Sequence, residues 1–290
     1  MTNTVALGSA AFRADYGVRY SYLAGALPSA VTSVDLCLRL GKAGLLGFYG
    51  AEHMPLAAVV AALDELRDTP FGMELPAERE SELVDRYLDA GVRCVDATGY
   101  TRPTPDLLRY RFAAGPRQLL VNVASPAAAL PFLLPPEPGT WTGLDPSGPT
   151  RRTARADPAT DLLPVATDIA VLGGNVAHLL ALVRLRDRLG SPTRIGYGGG
   201  LGTREGVAAA FVLGADFVVA GSVNHPTPEA GATDEVRDAL AALDVATGSP
   251  VGAFNHDVRG TPLADWRARH VDVVAEYLMA GAAEILSGSR

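Results

Sequence analysis

Thr193-Arg194-Ile195-Gly196-Tyr197-Gly198-Gly199-Gly200-Leu201-Gly202-Thr203-Arg204 runs from a short apolar segment through a glycine cluster into a stretch with helical spacing that lasts to Leu213. An apolar run, then turn chemistry, then an amphipathic run is one strand–loop–helix unit. The next unit follows at once, with a strand over 217–220 that ends in Gly221-Ser222. Working outward, the same rhythm recurs, with strands over 20–26, 45–50, 71–75, 92–97, 119–123 and 165–172. Helices fall over 33–40, 56–66, 79–89, 104–112, 176–189 and 233–243. Continuous apolar strands separated by helices predict a parallel sheet covered on both faces. Eight such units in 290 residues favour a closed (β/α)8 TIM barrel over an open doubly wound sheet. The chain reads as one barrel domain over 1–290. It carries an irregular Pro-rich loop over 125–158, with or without a short helix at 127–134, and a C-terminal helical tail over 251–290 whose helix covers 263–286.

Composition narrows the partners. Hydrophobic residues at 48% supply a sizeable core, and the net charge of −7 argues against nucleic acid, which needs a basic face. No run of about 18 apolar residues is present to span a membrane. No secretory signal is visible at the N-terminus, so a cytoplasmic location is expected. Cys37 and Cys94 read as buried reduced thiols, and no metal-ligand spacing occurs.

The sharpest local feature is the pair of glycine-containing strand ends at 198–200 and 221. Glycine lets backbone N–H groups approach an anion, and a helix N-terminus adds a favourable dipole. In a barrel, the loops after strands seven and eight often form a phosphate site. Gly199, Gly200, Thr203, Gly221 and Ser222 are the candidate ligands; the alternative is that these glycines only make tight turns. Glu74, Asp96, Asn122 and Asp168 lie in or near strand ends, where a buried carboxyl is poised for proton transfer. His53 and His225 follow strands two and eight and are placed to approach the mouth, whereas His178 falls on a helix. The loop around Trp141 is a candidate cover for that mouth.

These residues also carry a resemblance. Leu7-Gly8-Ser9, Phe12 to Tyr16, Tyr22-Leu23-Ala24-Gly25-Ala26 and the stretch 41–51 resemble the PfaD-type trans-acting enoyl reductases of polyketide and polyunsaturated fatty-acid synthases, relatives of the nitronate monooxygenases. Gly91-Val92-Arg93, Asp96-Ala97, Arg109-Tyr110-Arg111, Leu185 to Leu189, Gly221-Ser222-Val223-Asn224 and Glu229-Ala230-Gly231 are similar to the same family. The resemblance implies a flavoprotein of secondary metabolism, with FMN bound by Gly25, Asn122 and the glycine ends, and NAD(P)H as a transient reductant. It implies an enoyl thioester substrate held on an acyl carrier protein or polyketide synthase, and it allows a homodimer. Glu74, Asp96 and His225 are then the catalytic candidates. The chain departs from the family pattern at three places. The family's Gly-Gly-His reads Gly173-Gly174-Asn175, its Asn after the third strand is Glu74, and its basic residue near the fifth strand end is replaced around Asn122. These departures leave two other readings open. One is a non-redox isomerase, dehydratase or cyclase on the same barrel; the other is a catalytically silent synthase partner.

Overall fold

The computed structural model describes residues 6–136, 163–173, 175–199, 201–242 and 266–288. Eight parallel strands close in chain order: β1 (Tyr22–Ala24), β2 (Leu46–Tyr49), β3 (Gly72–Pro76), β4 (Cys94–Thr98), β5 (Gln118–Val123), β6 (Asp168–Leu172), β7 (Arg194–Gly198) and β8 (Phe217–Ala220). The ring closes through Tyr22, Leu23 and Ala24, which pair with Val218, Val219 and Ala220. Outside lie α2 (Val34–Lys42), α3 (Leu56–Leu66), α4 (Glu80–Asp89), α5 (Pro105–Arg111), α6 (Pro126–Leu133), α7 (Val176–Leu189), α8 (Arg204–Val212), α9 (Asp234–Ala241) and α10 (Val271–Ser287). The expected barrel is therefore the observed one.

The strands read as unbroken apolar runs because both of their faces are buried. One face packs on the helices; the other fills the barrel with Leu23, Phe48, Leu120, Ala170, Phe217 and Val219. Glycine at 196 is required by this packing, since a Cβ there would sit 2.3 Å from the Phe217 ring. Loop chemistry starts the helices. Ser33, Thr104, Ser125, Thr203 and Thr233 each cap one with a side-chain oxygen, and proline follows directly at 105 and 126.

Two elements depart from the sequence expectation. A short helix, α1 (Ala10–Tyr16), precedes the barrel, capped by Ser9 and stopped by Gly17 at φ 69°. Its Phe12 stacks on Phe217 at 4.5 Å, the first residue of β8, so α1 plugs the N-terminal end of the barrel. The second is the C-terminal helix. It runs over Val271–Ser287 rather than 263–286, and it packs against α8 of the seventh unit and α2 of the first, closing the helical ring between them. Within the Pro-rich segment, α6 is the short helix foreseen as one option. Residues 137–162 of that segment, Trp141 among them, and 243–265 of the C-terminal region lie outside the described residues.

Candidate functional site at the C-terminal mouth

The strand register sets Glu74 beside Asp96 on β3 and β4, and Asn122 beside Ala170 on β5 and β6. Asp96 is 1% exposed and Glu74 2%. Asn122 Nδ2 donates to Asp96 Oδ1 at 2.5 Å, and the Ala26 N–H donates to Asp96 Oδ2 at 3.3 Å. The Glu74 carboxylate accepts from the Glu52 N–H at 2.8 Å and from Thr98 Oγ1 at 3.2 Å. Burial pushes Asp96 up to about 7; the nearby Glu74 carboxylate adds to this, and the two donors only partly offset it. Burial raises Glu74 as well. Asn122 Oδ1 is buried with no hydrogen-bond partner.

A cleft opens above Asp96. Its walls come from the ends of β1, β6, β7 and β8: Gly25, Ala26 and Leu27; Leu172 and Gly173; Gly199, Leu201 and Gly202; and Val219 with Gly221, Ser222 and Val223. Gly199 has φ 103°, a backbone that side chains resist, so glycine at this wall is a conformational requirement. Asp96 is the only ionisable side chain among the described residues lining the cleft; Glu74, beside it on β3, does not line it. Thr32, which the sequence reading passed over, fixes the β1–α2 loop. Its hydroxyl donates to the Gly25 carbonyl at 2.8 Å and accepts from the Leu27 N–H at 3.1 Å. That holds Ala26 where its N–H meets Asp96. A small polar residue between the predicted strand and helix was the available signal.

The remaining candidates separate. Gly25, Gly199, Gly221, Ser222 and Asp96 converge on the cleft, and Gly200 lies outside the described residues. Thr203 caps α8 by accepting from the Gly206 N–H at 3.1 Å and is not among the lining residues. His225 directly follows the turn Ser222–Asn224, is 7% exposed, and is held neutral because burial lowers it to about 4. His53 is exposed, with φ 63°. Asp168 is the clear correction. The sequence reading ran the sixth strand from 165, which set Asp168 inside it; the observed strand begins at Asp168, at the opposite end of the barrel. There it pairs with Arg194 at 2.6 Å and accepts from Tyr16 at 2.9 Å, beneath the α1 plug.

No family model matches the chain. It aligns with the polyketide biosynthesis protein ThaF of Burkholderia thailandensis at 34% identity over 272 residues, 82% of this chain and 23% of ThaF. It aligns with the polyketide biosynthesis protein PksE of Bacillus subtilis at 31% identity over 274 residues, 82% of this chain and 36% of PksE. The chain thus spans roughly a quarter to a third of the length of these two curated relatives. Among solved structures, the enoyl reductase domain of MlnA from the macrolactin cluster of Bacillus amyloliquefaciens superposes with a TM-score of 0.75 at 30% identity, covering 83% of this chain and 62% of that one. No described helix is long and apolar enough to cross a membrane. The chain is a homologue of proteins of polyketide biosynthesis and shares the barrel of an enoyl reductase domain.

Proposed function

We propose that this chain is an FMN-dependent, enoyl reductase-like barrel that acts on thioesters carried by an acyl carrier protein in polyketide or fatty-acid biosynthesis. The observation that carries the reading is the cleft itself: glycine-lined ends of β7 and β8 face the end of β1 over a buried carboxyl. The described residues fit the group. Gly199, Gly221 and Ser222 offer backbone and hydroxyl donors at the phosphate end, with Thr203 near by. Leu27, Leu172 and Val219 give apolar walls for a flat ring. Gly25 leaves the ring room, and Asn122 supplies a buried, unsatisfied acceptor. When bound, FMN would supply hydride equivalents taken from NAD(P)H. The protein's part is to hold the phosphate without a lining cation, keep water from the floor of the cleft, and place a proton beside the acyl chain.

A second reading, a non-redox enzyme that shifts a proton on a thioester, is favoured by one specific feature. Glu74 and Asp96 lie side by side with no hydrogen-bonded cation among the described residues, which suits proton transfer without electron transfer. Calorimetric titration with FMN, followed by NAD(P)H oxidation with a carrier-bound enoyl thioester, separates the two. The reductase reading expects FMN binding, nicotinamide oxidation and a saturated thioester. Failure of FMN to bind at millimolar concentration overturns it, and isomerised thioester without nicotinamide oxidation selects the second.

A further inference from the structure

We infer that Asp96 is the proton donor of this site, and that Glu74, set beside it on β3, is a positioning residue that keeps the proton on Asp96. The inference rests on the reductase reading above and assigns its second chemical step.

Three observations lead there. Asp96 lines the cleft and Glu74 does not, so only Asp96 reaches a molecule in the cleft. The groups facing Asp96 are one charge and two neutral donors. β3 presents the Glu74 carboxyl, β5 the Asn122 amide, and the loop after β1 the Ala26 N–H. Behind Glu74 stands a further acid, Glu52, which binds it through its backbone N–H and adds like charge. Two adjacent buried carboxyls with no hydrogen-bonded cation among the described residues each make ionisation of the other costlier, so the pair retains a proton to higher pH than a free carboxyl does. Each carboxyl accepts two hydrogen bonds, so these do not decide between them. The proton is assigned to Asp96 because it is the member of the pair that lines the cleft, and burial and the neighbouring Glu74 carboxylate both hold its proton. His225, the other candidate acid near the mouth, is buried and neutral and is not among the described lining residues.

The step balances as follows. Hydride, whose source is the nicotinamide reductant, adds to the β-carbon of the enoyl thioester, and the π electrons move to the α-carbon and the thioester oxygen. The α-carbon then takes the proton from Asp96, forming the second C–H bond and leaving Asp96 as a carboxylate. Solvent returns the proton. Each turnover consumes one hydride and one proton and yields a saturated thioester.

The test has two arms. In the full-length protein without cofactor, carbon NMR of labelled aspartate and glutamate side chains reads the acid directly. We expect one carboxyl to titrate near neutrality, to vanish in Asp96→Asn, and to move down by about one unit in Glu74→Gln. Glu74→Asp should restore it in part. In the FMN-loaded protein, Asp96→Asn should still bind the cofactor and accept electrons from NAD(P)H, while formation of the saturated thioester falls on the order of 10²–10⁴-fold. The activity optimum should shift to lower pH in Glu74→Gln. An elevated titration near neutrality that persists unchanged in Asp96→Asn, or the lack of one that this variant abolishes, overturns the inference, as does an Asp96→Asn variant whose product formation stays within about threefold of the parent. Failure of the parent to bind FMN overturns the reductase reading instead, and the NMR arm still judges where the proton sits.

Discussion

The two ends of this barrel each bury an aspartate, and they treat it in opposite ways. At the N-terminal end, Asp168 meets Arg194 through two contacts, at 2.6 and 3.0 Å, and also accepts from Tyr16 and Thr167. Arg194 continues to Asp15 and Gln118 and lies over the Phe12 and Tyr16 rings of the plug. Burial works against the charge of Arg194, but the hydrogen bonds and charge of Asp168, joined by Asp15, outweigh it and keep the guanidinium protonated. At the C-terminal end, Asp96 meets an amide, a backbone N–H and another carboxyl. Burial raises Asp168 too, but Arg194, Thr167 and Tyr16 all oppose that rise, and the end is closed; Asp96 has no hydrogen-bonded cation among the described residues and opens on a cleft. This difference follows the usual division of a (β/α)8 barrel, with stability at the N-terminal face and chemistry at the C-terminal face.

The largest effect should come from the compensated end. Arg194→Leu leaves Asp168 buried beneath α1 without its cation, and removing one partner of a buried pair costs about 3–5 kcal/mol. Urea unfolding near pH 7 measures it. The double replacement Asp168→Leu with Arg194→Leu should recover most of that loss, because no stranded charge remains. If the single variant is as mild as a surface substitution, the two ends do not differ in the way described.

At the mouth a substitution that removes the charge should stabilise rather than destabilise. The native state holds the Asp96 proton more tightly than the unfolded chain does, since its value rises from 3.8 to about 7. The stability this gives is fully present below about pH 4 and is lost as pH climbs through about 7. Asp96→Asn removes that loss. The variant should exceed the parent in stability at pH 8, with about 4 kcal/mol as a ceiling from the size of the shift, and the gap should close toward pH 4. Glu74 and Asp168, also raised, add to the parent's decline in the same direction, so the Asp96→Asn difference, not the parent's slope alone, isolates Asp96. Denaturant midpoints at several pH values test the sign. A parent that grows more stable from pH 5 to pH 8 at this site would contradict the reading.

Much of this contrast was out of reach of the sequence, for physical reasons. The strand–helix rhythm was legible because strands buried on both faces must be apolar throughout, and serine and threonine mark the helix starts. The plug was not, because α1 has only seven residues and its buried positions are Phe12 and Tyr16, one turn apart. Ser9 before it and Gly17 after it were the signals to read. The error at Asp168 came from strand boundaries. An apolar run over 165–172 does not show where pairing begins, and three residues of uncertainty in a five-residue strand exchange one end of the barrel for the other. Periodicity likewise found the C-terminal helix but not the gap between α8 and α2 that it fills. At the mouth, Glu74 and Asp96 were found as residue types at strand ends, but that they lie side by side with no hydrogen-bonded cation among the described residues depends on register and on what neighbouring strands present.

A smaller effect tests the open end as a binding surface. A Cβ at Gly221 would meet Leu27 Cδ2 at 3.3 Å. Valine at this position crowds the cleft rather than the backbone of β8. FMN affinity should weaken at least tenfold, about 1.4 kcal/mol, with a far smaller change in unfolding midpoint. Equal affinity in the variant would move the ligand away from the end of β8.

The smallest effect separates the two uses of Thr203. As a cap, its Oγ accepts from the Gly206 N–H, and Thr203→Ala should cost about 1 kcal/mol of stability. As a phosphate ligand, it would also turn its hydroxyl hydrogen toward an anion at the start of α8. Alanine removes both roles at once, so it cannot tell them apart. Aspartate can: it caps a helix as well as threonine does, and a negative charge at the first turn also suits the helix dipole. Thr203→Asp should therefore keep the unfolding midpoint. If the phosphate lies between the end of β7 and the turn at Ser222, the new carboxylate repels it. FMN affinity should then fall by a factor of several, and the loss should shrink as salt screens the repulsion. Unchanged affinity in Thr203→Asp, with Gly221→Val still impaired, would confine the phosphate to the β8 side and leave Thr203 as a cap alone.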